Sequence, residues 1–197
     1  MIGGVALKRY LRDYLVLFSI VGLILVVDQY TKALVRQNIA LGGAWAPWPW
    51  LYPYARIVNW YNTGVAFGMF QGMGTLFSIV AVIVSIAIIY YFPRVPIQDW
   101  TLRLAMGLQM GGALGNLIDR IIQGHVTDFV SVGTFAVFNV ADACISVGVV
   151  VLLLGVYIQE RRKPSSAEPI AGGEKTDALE GENPAASAPE HSNSNGG

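Results

Sequence analysis

The chain has 197 residues, of which 54% are apolar and 13% are Asp, Glu, Lys or Arg, about half the charged share of an average soluble domain. Thirteen basic and thirteen acidic residues cancel, so no net field recruits nucleic acid or any other highly charged partner. A mean hydropathy of +0.50 argues against a water-soluble enzyme, and a single cysteine, Cys144, excludes an internal disulfide framework and a cysteine-based zinc cage.

Charge-free stretches mark the expected membrane spans, and they fall at residues 14–27, 57–93, 104–118 and 143–159. Crossing about 30 Å of hydrocarbon takes roughly 20 apolar helical residues, which places helices near 13–33, 75–92, 102–122 and 140–159. The first stretch follows Lys8, Arg9 and Arg12 in the manner of a signal peptide. No small-x-small cleavage site comes after it, and DQYTKALV continues the helical pattern, so an uncleaved anchor is expected. Leu76–Tyr91 is rich in Ile and Val, yet a backbone in lipid must satisfy its own hydrogen bonds, which makes it a helix. In the third span Gly107, Gly111 and Gly115 recur every four residues, a stripe that lets a neighbouring helix approach closely.

Orientation follows from the basic residues. With the N-terminus inside, the inner segments hold nine of them (Lys8, Arg9, Arg12, Arg94, Arg103, Arg161, Arg162, Lys163 and Lys175), against Lys32, Arg36, Arg56 and Arg120 outside. That bias predicts N-in and C-in. Trp45, Trp48, Trp50 and Trp60 lie between the first two spans, where an aromatic belt holds a segment at the membrane surface. Pro47, Pro49 and Pro53 prevent one continuous helix there, and RIVNWYNTGVAF is read as short strands. Residues 164–197 are Pro, Ser, Ala, Gly, Glu and Asn with almost no large apolar side chain. Such a segment buries too little surface to offset its chain entropy, so a disordered cytoplasmic tail is expected beyond a membrane domain at 1–163. The fold class predicted is therefore an all-α membrane protein of four transmembrane helices, with a small extracytoplasmic β or loop element between the first two.

Before Glu160 the chain has no glutamate and six aspartates. Asp13 and Asp99 sit in cytoplasmic boundary regions and are expected to be solvated. The other four, Asp28, Asp119, Asp128 and Asp142, all come to the outer side under this topology. An ionisable group in or at the edge of a span is a functional hypothesis by default. Polar companions accompany them at helical spacing: Lys32 is i+4 from Asp28, Asn116, Asp119 and Arg120 stand at i, i+3 and i+4, and Asn139 is three residues before Asp142. For Asp28 with Lys32, and for Asp119 with Arg120 or another base, charge pairing that pins the bundle explains the acid as well as function does. Asp128 and Asp142 lack such a basic neighbour, although His125 is close to Asp128. Two carboxyls within reach of each other share a proton over a wide pH range, and one then activates water while the other protonates a carbonyl oxygen. No metal or other cofactor is expected, because only two histidines are present and His191 is in the tail.

Five strings occur in one order: DQYTK (28–32), NTGVAFG (62–68), GGALGNLIDR (111–120), HVTDF (125–129) and FNVAD (138–142). Together with four spans they resemble signal peptidase II, the prolipoprotein signal peptidase family of bacteria, over about residues 12–158. The resemblance implies an aspartyl endopeptidase of the bacterial inner membrane, its site facing the extracytoplasmic side. Such enzymes cleave N-terminal to a diacylglyceryl-modified cysteine. It implies Asp128 and Asp142 as the catalytic pair, with Asp28, Lys32, Asn116, Asp119, Arg120 and Asn139 as the supporting polar set. Asn62, Gly64 and Phe67 correspond to the outer loop that contacts substrate. A small extracytoplasmic sheet and a flexible covering helix come with the family. The implied partners are a lipid-modified prolipoprotein and membrane lipids, with no nucleic acid, and the enzyme is expected to be a monomer. Only thirteen residues separate Asp128 from Asp142, fewer than in many relatives, so the loop between them is expected to cover the site differently. Cys144 is read as a small buried helix residue, since nothing nearby would activate a thiolate.

A proton- or ion-coupled carrier is the competing reading. It calls for acids nearer mid-membrane on broken or repeated helices, and no internal repeat is found. A packing subunit of a larger complex would leave Asp128 and Asp142 unexplained.

Overall fold

The computed structural model describes residues 2–64 and 70–162. Phe67 and the tail at 164–197 lie outside the described residues. Four α-helices carry the described chain: α1 (Ile2–Asn38), α2 (Gly74–Tyr91), α3 (Trp100–Gln123) and α4 (Val140–Arg162). Each matches its expected stretch to within a residue or two except α1, which runs further at both ends, and α4, which runs on to Arg162; α2 stops at Tyr91, where a 3-10 turn begins at Phe92. Three segments are long and apolar enough to cross a membrane, namely Leu7–Asn38, Gly74–Arg94 and Val140–Arg161.

α3 falls short of that hydropathy for a physical reason. It packs against each of the other three helices and buries Arg103, Gly107, Gly111, Gly115, Asn116 and Asp119 among them. α2 and α4, by contrast, expose Ile79, Ile83, Ile86, Leu153 and Leu154, as lipid-facing helices do. The α1–α3 seam uses the glycine stripe as expected. A Cβ on Gly107 would come within 2.8 Å of Ile20 Cγ2, and one on Gly111 within 2.7 Å of Ile24 Cδ1. Lower down, Leu17, Val21, Ile88, Phe92 and Met110 form the apolar core between α1, α2 and α3.

One acid departs from its sequence reading. Asp13, expected to be solvated, is 1% exposed. Arg103 Nη2 donates to its Oδ1 at 2.8 Å, while Nη1 of the same guanidinium donates to the Val95 carbonyl at 3.2 Å. Arg103 also lies 4.3 Å above the Phe92 ring. The guanidinium thus closes the α2–α3 connection onto α1, and an ion buried there needs a counter-ion, which Asp13 supplies.

The sheet has three antiparallel strands in the order β1 (Ala44–Trp45), β2 (Ala55–Asn62) and β3 (Val126–Val132). The first two fall between α1 and α2 as expected. β3 does not: it arises from the α3–α4 connection, so Asp128 stands in mid-strand opposite Trp60 rather than in a short irregular segment. Gly124, at φ +76°, ends α3 by donating its N–H to the Arg120 carbonyl, the left-handed cap that lets the chain reverse into a strand. Residues 47–54 run as turns, with Trp48, Trp50 and Tyr54 exposed. Among the described residues the outer segment contains no covering helix.

Candidate active site

α4 begins where the sheet ends. Phe138 pairs with Val130 of β3 through backbone hydrogen bonds in both directions, so Asn139 enters α4 beside Asp128. Its side chain then does two things. Nδ2 donates to Asp128 Oδ1 at 2.7 Å, and Oδ1 accepts the Asp142 N–H at 3.0 Å. Asp142 answers by accepting the Asn139 N–H on Oδ2 at 3.2 Å, a reciprocal helix cap. Both candidate carboxyls are therefore fixed through one buried asparagine.

The remaining carboxylate oxygens are also occupied. Asn62 Nδ2 donates to Asp128 Oδ2 at 2.8 Å, and Asn62 is itself oriented because its Oδ1 accepts the Gly64 N–H at 2.9 Å. Asn116 Nδ2 donates to Asp142 Oδ1 at 2.7 Å. Burial pushes the Asp128 carboxyl up to about 7, and the Asp142 charge pushes the same way. The amides of Asn62 and Asn139 and the Lys32 charge oppose them.

Behind the pair lies a buried ionic layer. Lys32, with no exposed surface, reaches Asp28 at 2.9 Å and Asp119 at 3.2 Å, and donates to Asn116 Oδ1 at 3.0 Å. The expected i, i+4 pair of Asp28 and Lys32 is present. Asp119 pairs with Lys32 and with Arg36, at 3.6 Å, instead of with its neighbour Arg120. Arg120 lies 5.7 Å from the Phe77 ring and its Nε is buried without a hydrogen-bond partner. Asp119 also accepts the backbone N–H of Thr127 at 2.9 Å, and Asp28 accepts that of Ala141 at 2.9 Å. Each structural acid thus fixes the backbone next to one candidate acid.

Three participants escaped the sequence reading. Arg36 holds Asp119 and donates to Thr127 Oγ1 at 3.0 Å, while Gln29 bridges Asp28, the Gly115 carbonyl and Asp119. A signal existed for Arg36, which lies four residues beyond Lys32 on the same helical face. Thr127 adjoins Asp128 in a stretch whose strand character was not recognised. His125 stacks on Tyr61, with ring centroids 3.6 Å apart. Cys144 is half-buried and free.

Two cavities meet at Asp142, and Asp128 lies behind it outside the lining of both. One of about 440 Å³ is lined by Asn62, Gly64, Phe138 and Ser146. A second of about 320 Å³ lies between α2, α3 and α4, lined by Phe77, Ala81 and Gln109. Asn116, Arg120 and Asp142 line both, and the walls are otherwise largely apolar. Among the described residues no three His, Cys, Asp or Glu side chains converge as metal ligands. The arrangement offers two neighbouring carboxyls, Asp128 buried and pushed up to about 7 and Asp142 partly buried at the junction of two apolar clefts. That is equipment for activating water against a carbonyl group.

A family model described as signal peptidase (SPase) II matches residues 20–158. The chain belongs to this family. It is 39% identical over 150 residues to a lipoprotein signal peptidase of Mesorhizobium japonicum, a match covering 74% of this chain and 87% of that one. It is 38% identical over 151 residues to the lipoprotein signal peptidase of Halalkalibacterium halodurans, covering 74% and 95%. Among solved structures, a bacterial membrane enzyme determined by the in meso method at 2.3 Å resolution superposes with a TM-score of 0.70. It is 28% identical and covers 76% of this chain and 92% of its own. As a member of this family the chain is a peptidase and a bacterial membrane protein, mostly helical with a small antiparallel sheet.

Proposed function

We propose that this protein removes the signal peptide from diacylglyceryl-modified prolipoproteins, cleaving on the N-terminal side of the lipidated cysteine with Asp128, Asp142 and a water molecule. The observation that carries the reading is Asn139. One buried side chain binds Asp128 and caps Asp142, so two acids from different elements are held by a single amide.

In this reading α3 crosses the bilayer with the other helices, giving four spans with both termini in the cytoplasm and the acids toward the extracytoplasmic face. The helix is central and its polar groups are covered, so low hydropathy is no obstacle to crossing. Acyl chains of the substrate remain in the apolar clefts while the scissile amide reaches the acids from the side. Asn62 and Gly64 hold the peptide backbone, and Phe67 belongs to the same loop. Each buried methylene contributes roughly 0.8 kcal/mol, so the lipid dominates recognition and the peptide sets the register. The enzyme works as a monomer, and the tail takes no part in the chemistry.

The test is a paired kinetic assay of purified protein in matched micelles, with a lipidated prolipoprotein and its unmodified precursor. Strong discrimination in kcat/KM for the lipidated form, abolished for both forms by Asp128→Asn or Asp142→Asn, supports the reading. Near wild-type cleavage by either variant removes the aspartyl assignment, and equal cleavage of the two precursors removes the lipid requirement.

A further inference from the structure

Which carboxyl of the pair carries the charge follows from the surroundings of each. The charged groups of the centre are Asp28, Lys32 and Arg36 from α1, Asp119 and Arg120 from α3, Asp128 from β3 and Asp142 from α4. α2, packed on α3, has no Asp, Glu, Lys, Arg or His, and the other titratable neighbours are His125, stacked on Tyr61, and Cys144. Four acids face three bases, so the centre is neutral when the pair holds one proton. A second negative charge would be buried without compensation.

The two acids are not equivalent hosts for that proton. Asp142 lies in the first turn of α4, where backbone N–H groups and the helix dipole favour an anion, and it accepts one such N–H, from Asn139. Its other oxygen accepts from Asn116, whose own carbonyl oxygen is held by Lys32 Nζ at 3.0 Å. A lysine only donates, so the Asn116 amide is locked with its nitrogen toward Asp142, and one amide relays the buried ammonium charge to that carboxylate. Asp128 stands on a strand. It accepts from two side-chain amides, those of Asn62 and of the α4 cap Asn139, but from no backbone N–H of the helix, and neither amide nitrogen belongs to a group whose oxygen a cation holds.

We propose that the shared proton resides on Asp128 and that Asp142 is the ionised partner, which makes Asp142 the base and Asp128 the acid of the first step. The assignment rests on the aspartyl reading above. Asp142 takes a proton from water as the water oxygen bonds to the scissile carbonyl carbon, and Asp128 gives its proton to the carbonyl oxygen. The product is a neutral gem-diol with Asp142 protonated and Asp128 ionised. Asp128 then recovers a hydroxyl proton from the gem-diol while Asp142 delivers its own to the departing nitrogen, and the C–N bond breaks. A carboxylic acid and an amine leave, and the pair returns to its starting state.

The experiment is infrared difference spectroscopy of the full chain in detergent, without substrate, reading the protonated-carboxyl C=O stretch across a pH titration. Turnover of lipidated precursor is measured on the same preparations. Wild type should show a carboxylic acid band near pH 6 that bleaches as pH rises through about 7. Asp128→Asn should lose that band, and Asp142→Asn should keep one at pH 5. A band that survives Asp128→Asn and vanishes in Asp142→Asn overturns the assignment. If both variants are inactive, the aspartyl reading survives that result; if Asp128→Asn turns over normally, the aspartyl reading itself fails.

Discussion

Gly115 of α3 faces Asp28 of α1 so closely that a Cβ added to the glycine would lie 2.7 Å from Asp28 Oδ2, and 3.2 Å from the Ala141 Cβ. The stripe that packs Ile20 and Ile24 against glycine thus ends by seating a carboxylate, and that carboxylate holds both Lys32 and the Ala141 N–H. Gly115→Ala should push Asp28 out of place at an overpacking cost of about 1–3 kcal/mol. The expected outcome is a lower melting temperature in detergent together with a large loss of kcat. Gly22→Ala is the control, since nothing stands within 4 Å of its new Cβ, and it should leave both measurements unchanged.

Asp13→Ala should separate stability from chemistry. It strands the buried Arg103 guanidinium without its counter-ion, a change that costs about 3–5 kcal/mol when one member of a buried pair is removed. Asp13 and Asp28 are fifteen residues apart on one helix, roughly 22 Å at the helical rise. The melting temperature should fall, while kcat per folded molecule at low temperature stays at the wild-type value. A matching fall in kcat would mean that the Asp13–Arg103 pair also shapes the site.

Asp119→Ala should damage both. It removes a partner of Lys32 and Arg36 and leaves the Thr127 N–H, one residue before Asp128, without its acceptor. The stability loss is again about 3–5 kcal/mol, visible in thermal melts. Lost activity with an unchanged melt would make Asp119 a direct participant instead.

The pH dependence has a definite sign. Folded Asp128 keeps its proton to about 7, above the value of 3.8 at which an unperturbed Asp loses it. Between those limits the native state binds more protons than the unfolded state, so Asp128 makes stability fall as pH rises from about 3.8 to about 7, and flatten above. Asp128→Asn should remove that slope from a series of denaturation curves. Turnover that needs the Asp128 proton should decline over the upper part of the same range.

Local geometry made much of the site legible in the sequence. Asp28 with Lys32, and Asn116 with Asp119, stand at spacings that force neighbours on a helix, and Asn139 with Asp142 has the spacing of a reciprocal cap. What the sequence concealed was tertiary. Arg103 and Asp13 are 90 residues apart, so the charge of Asp13 reads as solvated until the α2–α3 connection folds over it. β3 was missed because VTDFVSV is buried on both faces over Val126–Phe129, which hides the apolar–polar alternation of a half-buried strand. The sequence leaves Asp119 with Arg120 or another base, and helix rotation decides for the α1 bases Lys32 and Arg36.

Asp128 rides on a strand, and Asp142 rides on a helix long and apolar enough to cross a membrane, where its tilt would follow hydrocarbon thickness. Asn139 is the rivet between these two bodies. Mechanically, the centre is therefore a joint between a strand and a helix. A tilt of α4 against the sheet would load that amide together with the Phe138–Val130 backbone bonds beside it, and so the spacing of the two acids. Acyl-chain length in the host membrane would then act on the alignment of the two acids without any ligand touching the cleft.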